Sequence, residues 1–378
     1  MRSRTTSTTI RIPLFRPDTG DAEADAVREV LVSGWLTTGP KCHELEARTA
    51  IISGTALART VSSCSMGLFL GLRAVDVGPG DVVITTPMTF AASAQAILWA
   101  GARPVLADVD ADSLLLDPQR VAEVTDTLSR TGIHSKAVVA VHYGGQPAPV
   151  EALHQAAGHV PIIEDAAHAW GTTVTVRNCV ARAYSLYANK TITCGEGGVV
   201  ATDSPAVAEF ILHGRDHGSD LPAFGRARDP VIMLEGYKGN LSDVQAAIAL
   251  VQLQRLEAKR AKRQAIVRWY GDRLRNGPVQ LLGLIESEQT CPYLYVVRVR
   301  AGLRDRVREG LRSSGIATGL HYMPVHRHAW LASRVWAPRP LPVAERAGDR
   351  MLTLPLHEFL TEEDVDEICR RLLRAVGA

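Results

Sequence analysis

Lysine is the scarce residue of this chain. Of 42 basic side chains only six are lysine: Lys41, Lys136, Lys190, Lys238, Lys259 and Lys262. Chemistry that needs an amine therefore has six places to go. An excess of one charge is also missing. The formal net charge is +2, with acids and bases mixed along the chain, which excludes a broad nucleic-acid-binding face. No apolar run approaches the ~20 residues of a membrane-spanning helix, so no membrane partner is expected. The six cysteines, Cys42, Cys64, Cys179, Cys194, Cys291 and Cys369, form neither a CxxC pair nor a zinc spacing. Buried free thiols in a reducing cytoplasm are the expectation. The first ten residues carry Arg, Ser and Thr but no apolar core, which excludes a secretory signal and reads as a loose tail.

What is present is an ordinary globular composition. Hydrophobic residues make up 46% and charged residues 22% of 378 positions. At roughly 150 residues per domain, this length predicts two domains, or one large domain with a satellite. Helix and strand patterns alternate through the first two thirds. Asp21 can cap a helix over 21–33, with Val27, Val30 and Leu31 on one face and Gly34 as its stop. Val82–Thr85 reads as a buried strand, and an alanine-rich helix near 91–100 ends at Gly101. Further strands are expected near 105–107, 137–141, 161–163, 183–187 and 199–201. Short apolar strands separated by helices predict an α/β fold with a doubly wound, mostly parallel sheet. Ligands of such sheets sit beyond the carboxyl ends of the strands.

Ser242 and Gln245 form a capping-box pattern for a helix over 242–256, with Val244, Ala247, Ile248 and Val251 on one face. The arginines near 255–275 read as a solvated helix face. After about residue 265 the texture mixes, and a last helix starts at Thr361 with Asp364, burying Val365, Ile368, Leu372 and Val376. The expected division is a large domain over 1–265, including an N-terminal arm 1–20, and a smaller α+β domain over 266–378.

The strand-end rule points first to Glu164-Asp165-Ala166-Ala167-His168. Asp165 follows an apolar run, and on that fact alone a helix cap is the plainer account. Next comes Tyr184 to Gly198, where a strand runs into Lys190 and then into a Gly-rich turn. Lys190 lies 25 residues after Asp165. A rare lysine and a strand-end carboxylate together suggest pyridoxal phosphate: the amine forms a Schiff base with the aldehyde, and the carboxylate keeps the ring nitrogen protonated. The phosphate of such a cofactor needs N–H groups at a helix start, which Ser62-Ser63-Cys64-Ser65-Met66-Gly67 supplies. Phe90, after the strand at 82–86, can cover the ring, although a phenylalanine alone is more often core.

These segments resemble the fold-type I sugar aminotransferases of the DegT/DnrJ/EryC1/StrS family. The likeness runs from Ser33–Pro40 through Gly78–Asp81, Thr89-Phe90, Gly101–Val105, Glu164–His168, Ser185–Gly198 and Gly236–Asp243. It ends at His321–His326 and Leu354–His357. The resemblance implies that Lys190 is the Schiff-base lysine and proton shuttle, and that Asp165 is the pyridinium partner. It places His168 beside the cofactor's phenolic oxygen, Phe90 on the ring, and Ser65, Met66 and Ser185 at the phosphate. The loop with Lys238 and Asn240 would cross a homodimer interface to the partner's phosphate. Thr38, His321, Tyr322 and His326 would lie on the substrate side. The sequence departs from many relatives at Lys238, where they have Asn, at Ser65-Met66-Gly67, where they have Thr-Ala-Ala, and over 172–182, which lacks the usual glycines.

The implied reaction moves an amino group from glutamate, leaving 2-oxoglutarate and pyridoxamine phosphate, and then to a nucleotide-linked keto sugar. His168 combined with Gly-Tyr-Lys-x-Asn-Leu is most similar to members that aminate C4 of a 4-keto-6-deoxy sugar. Amination at C3 or of a cyclitol ketone is the alternative within the family. A 3-dehydratase of the family would carry His where Lys190 stands. A cofactor-binding regulator is the non-enzyme alternative. A metal site on His321, His326 and His328 is set aside, since no carboxylate accompanies them at a recognisable spacing.

Overall fold

The computed structural model describes residues 9–174, 179–220, 228–283 and 286–377. The tail's residues 1–8 and residues 175–178 of the turn at 172–182 lie outside the described residues.

Seven strands form the main sheet: β1 (Leu57–Val61), β2 (Val82–Thr85), β3 (Arg103–Leu106), β4 (Ser135–Val141), β5 (Ile162–Asp165), β6 (Ala181–Ser185) and β7 (Gly198–Thr202). Their order is β1-β7-β6-β5-β4-β2-β3, and only β7 runs antiparallel to its neighbours. β2, β5, β6 and β7 are buried along their whole length, and β4 everywhere but at Lys136. This explains their continuous apolar runs: a sheet covered by helices on both faces has no polar side to alternate with. The helix Cys64–Ala74 packs one face of the sheet through Leu68, Leu70 and Leu72, all fully buried.

A second sheet joins β8 (Gln280–Leu281), β9 (Tyr295–Arg298) and β10 (Met351–Leu354) in antiparallel order β10-β9-β8. The last helix, Glu362–Val376, is capped by the reciprocal Thr361–Asp364 pair and lies over the same core through Val365, Ile368 and Leu372. That core also takes in Ile12 of the N-terminal arm and Ile266, Val267 and Tyr270 of the helix Leu256–Leu274. We propose that this helix belongs to both units and that the arm at Ile12 is counted with the C-terminal one. Among the described residues no helix is long and apolar enough to cross a membrane.

Several local expectations change. The helix Asp21–Ser33 is preceded by Gly20, whose N–H donates to the Glu23 carboxylate at 2.8 Å, so Asp21 is its first residue and not its cap. Leu31 is exposed, unlike Val30. In Asp243–Gln254 Ala247 is buried as expected, together with Ala246, Ala249, Leu250 and Leu253, while Val244, Ile248 and Val251 are half-buried. This helix packs against both Asp21–Ser33 and Pro40–Ser53, so small residues mark its close contacts better than large ones do.

The basic face at 255–275 is corrected in part. Lys259 is buried, donating to Gln252 Oε1 at 2.7 Å and lying 3.4 Å from Asp18. Arg263 is buried too, its Nε 2.8 Å from Glu358. Both charges sit inside because a carboxylate and carbonyl oxygens receive their N–H groups.

Candidate active site

A cavity of about 730 Å³ opens at the carboxyl ends of β5 and β6, against the start of the helix Cys64–Ala74. Close approach of these parts depends on Gly198 at the head of β7. A Cβ there would lie 2.6 Å from the Cys64 nitrogen and the Ser63 carbonyl carbon, which no side chain tolerates.

Lys190 follows β6 and reaches into the cavity. Its Nζ lies 4.5 Å above the Tyr293 ring and makes no ion pair among the described residues. Burial pulls the amine down to about 8, against the opposing pull of the Asp165 charge. Asp165 ends β5. Its Oδ2 accepts from Ser93 Oγ at 2.7 Å and its Oδ1 from the Ala167 N–H at 3.1 Å, with the Cys64 thiol at 3.8 Å. Its side chain serves a turn, not a helix cap.

His168 lies flat on Tyr293, ring centroids 4.4 Å apart. Its Nδ1 accepts from the Gly144 N–H at 3.3 Å, so in the neutral ring Nε2 carries the proton and donates to Tyr322 Oη at 3.0 Å. Burial and then the Lys190 charge hold His168 well below its ordinary value. The same causes bring His321 to about 4, with its Nδ1 2.9 Å from Thr353 Oγ1. Both imidazoles are therefore neutral at physiological pH.

Phe90 is 63% exposed and lines the cavity, so it is not core. Ser63, Cys64 and Ser65 line the helix-start end. Ser63 Oγ accepts the Met66 N–H at 3.1 Å, which leaves the earlier N–H groups of the first turn without intrahelical acceptors. Ser185 lines the opposite wall.

Other expected site residues lie elsewhere. Thr38 and Asn240 bond each other at 3.0 Å, and neither lines this cavity. Lys238 is exposed and 3.9 Å from Asp216. His326 faces a shallower groove with Glu345 3.7 Å away, whereas His321 and His328 line the main cavity. Two residues at the site escaped the sequence reading, Tyr293 and Ser93, while Cys64 was read only as part of the helix start. The only available signal was for Tyr293 and was compositional. Aromatic residues are 5% of the chain, yet Phe90, Tyr187, Tyr293 and Tyr322 all line one cavity.

A family model for the DegT/DnrJ/EryC1/StrS aminotransferases matches residues 17–373. The chain belongs to this family. Its members are pyridoxal-phosphate-dependent aminotransferases. Among solved structures, the aminotransferase TlmJ from Streptoalloteichus hindustanus is 32% identical with a TM-score of 0.87, over 97% of this chain and 98% of that one. Spr1654 from Streptococcus pneumoniae, described as a sugar aminotransferase and solved in its PLP form, is 28% identical with a TM-score of 0.87. That match covers 97% of this chain and 98% of the other. PseC from Helicobacter pylori, an aminotransferase involved in pseudoaminic acid biosynthesis, is 25% identical with a TM-score of 0.87, over 97% and 99% of the two chains. The likeness extends across both sheets, so this family member carries the whole architecture of its relatives.

The cavity's residues suit the family's cofactor on their own chemistry. An amine free of ion pairs, a carboxylate held by donors, an exposed aromatic face and a hydroxyl-flanked helix start all meet in one volume.

Proposed function

We propose that this aminotransferase moves an amino group from glutamate to C4 of a 4-keto-6-deoxy nucleotide sugar. The observation that carries the reading is the convergence of Lys190 and Asp165 on the cavity that Phe90 also lines. Bound pyridoxal phosphate supplies the electron sink that lets an amino group leave one carbon and join another. Lys190 would hold the aldehyde carbon and carry the proton to and from the substrate Cα. An amine near 8 is suited to this, because it both gives and takes a proton at neutral pH. Asp165 would face the ring nitrogen and Phe90 one face of the ring. Ser65 and Ser185 would hold the phosphate; the expected Met66 N–H is instead given to Ser63 Oγ, and the His168 Nε2–H would pass from Tyr322 Oη to the phenolic oxygen.

Four further elements complete the proposal. His168 together with Gly236-Tyr237-Lys238 and Asn240-Leu241 supports C4 as the position aminated. Lys238 and Asn240 would serve the partner subunit of a homodimer, and their placement outside this chain's own cavity supports that. His321 and Tyr322, which line the cavity, would face the sugar nucleotide, whereas Thr38 and His326 lie outside it and are not assigned to that role. A cytoplasmic location is supported by six free, buried cysteines. The test is a panel of 3-keto and 4-keto nucleotide sugars and cyclitol ketones with glutamate, the product position read by NMR. An amine at C4 is expected. Amination only at C3, or only of a cyclitol, contradicts the assignment.

A further inference from the structure

Beneath the cavity a short file of hydroxyl groups ends on Asp165. Thr89 just precedes the helix Ala91–Trp99 and Ser93 lies in its first turn, so the two side chains meet at the helix start. Thr89 Oγ1 and Ser93 Oγ are 2.7 Å apart, and Ser93 Oγ is 2.7 Å from Asp165 Oδ2. The direction of donation follows from counting protons. A carboxylate only accepts, so Ser93's single O–H points at Asp165. Ser93 must then accept from Thr89. Both side chains are buried, at 0% and 2% exposure, so water does not compete for these bonds.

The two carboxylate oxygens differ in what is left to them. Oδ1 already receives the Ala167 N–H and faces the Cys64 thiol. Oδ2 receives Ser93 alone and keeps a lone pair for something in the cavity. We infer that Ser93, held by Thr89, is a positioning residue. It sets the rotation of the Asp165 carboxylate so that Oδ2 presents its free lone pair to the cofactor's ring nitrogen. The inference rests on the proposed role of Asp165 toward that ring. The same helix start carries Phe90, so one turn of backbone would fix both the ring's stacking partner and the group at its nitrogen.

The experiment uses the holoenzyme loaded with pyridoxal phosphate labelled with 15N in the ring, and reads the ring-nitrogen chemical shift and the cofactor dissociation constant. Ser93→Ala is expected to move the shift toward the unprotonated position and to raise the dissociation constant roughly tenfold, the effect of losing one hydrogen bond to a charged group. Thr89→Val, which keeps side-chain volume, is expected to move the shift in the same direction by less. Ser93→Thr, which keeps the hydroxyl, is expected to restore the wild-type shift. If Ser93→Ala does not fold, Thr89→Val decides alone. A lowered melting temperature with an unmoved shift in Ser93→Ala, or in Thr89→Val where Ser93→Ala does not fold, means a merely structural role and overturns the inference. Asp165→Asn separates the two layers. If it leaves the shift unmoved, the role of Asp165 itself fails; if it moves the shift while the Ser93 and Thr89 variants do not, only the positioning role fails.

Discussion

At the residue scale, the scarcity of lysine had a physical meaning that position supplied. Lys190 and Lys259 are both removed from water, but they are handled differently. Lys259 is matched by Asp18 and Gln252, whereas the Lys190 amine lies over the Tyr293 ring with no ion pair among the described residues, Cys64 and Asp165 acting on it only through space. An ammonium over an aromatic face is weakly held compared with one in an ion pair. It therefore loses its proton more easily, and burial brings it to about 8. The sign follows directly: the neutral, nucleophilic form grows as pH rises through about 8. In cofactor-free protein, modification of Lys190 by an amine-directed reagent should follow a midpoint near 8, read site by site by mass spectrometry. A midpoint at the ordinary lysine value of 10.5 would contradict the burial argument.

At the scale of single elements, β5 carries two adjacent carboxylates with opposite tasks. Asp165 faces the cavity, and Glu164 is buried under the sheet. Burial pushes Glu164 up, but the bonds from His142 Nε2 at 2.9 Å and Arg182 Nε at 2.8 Å outweigh it and bring the carboxyl down to about 2. The folded value is below the ordinary 4.5, so this contribution to stability is present above 4.5 and is lost as pH falls through about 2. Glu164→Gln leaves the Arg182 charge buried without its partner. It should cost roughly 3–5 kcal/mol by denaturant unfolding, the cost of breaking a buried pair from one side. It should also flatten the acid limb of the stability curve. A loss under about 1 kcal/mol would place this pair with weak surface bridges. Loss of the Ser242 cap by Ser242→Ala should cost about 1 kcal/mol by the same measurement, because the bond from the Gln245 N–H to Oγ and the Oγ bond to Gln245 Oε1 are lost while the backbone Ser242 N–H keeps its Gln245 partner.

Element positions were legible in the sequence wherever a local rule operated. The strands β2, β4 and β5 followed from apolar runs, and the helix ends at Gly34, Ser242 and Thr361 from caps. Contacts that depend on a third body were not legible. The stripe of Ala246 and Ala249 is set by two neighbouring helices, and Arg263 is drawn inward by Glu358, 95 residues away. In the site, Asp165 and Lys190 could be found because the first ends β5 and the second follows β6. Ser93 and Tyr293 could not, because only the folded sheet brings Tyr293 beneath Lys190 and Ser93 beneath Asp165.

At the scale of the whole molecule, the proposed homodimer gives Lys238 a task it does not have within one chain. If its amine serves the partner's phosphate, a Lys190→Ala subunit is defective in its own site and a Lys238→Ala subunit in its partner's. Mixed dimers of the two variants should then hold one site with both lysines intact. Activity measured after unfolding and refolding the mixture together should exceed that of either variant alone. Activity no greater than the sum of the separate variants would contradict the shared-site arrangement.

The claim on which the account rests is that Lys190 performs amino transfer in the cavity at the ends of β5 and β6. The most direct measurement is the donor half-reaction: cofactor-loaded protein mixed with glutamate in the absence of any acceptor, with 2-oxoglutarate counted against subunits. The wild-type chain should release about one 2-oxoglutarate per subunit and lose its visible cofactor absorbance, and Lys190→Ala should do neither. Absence of 2-oxoglutarate from the wild type, or its release by Lys190→Ala without added amine, would contradict the account.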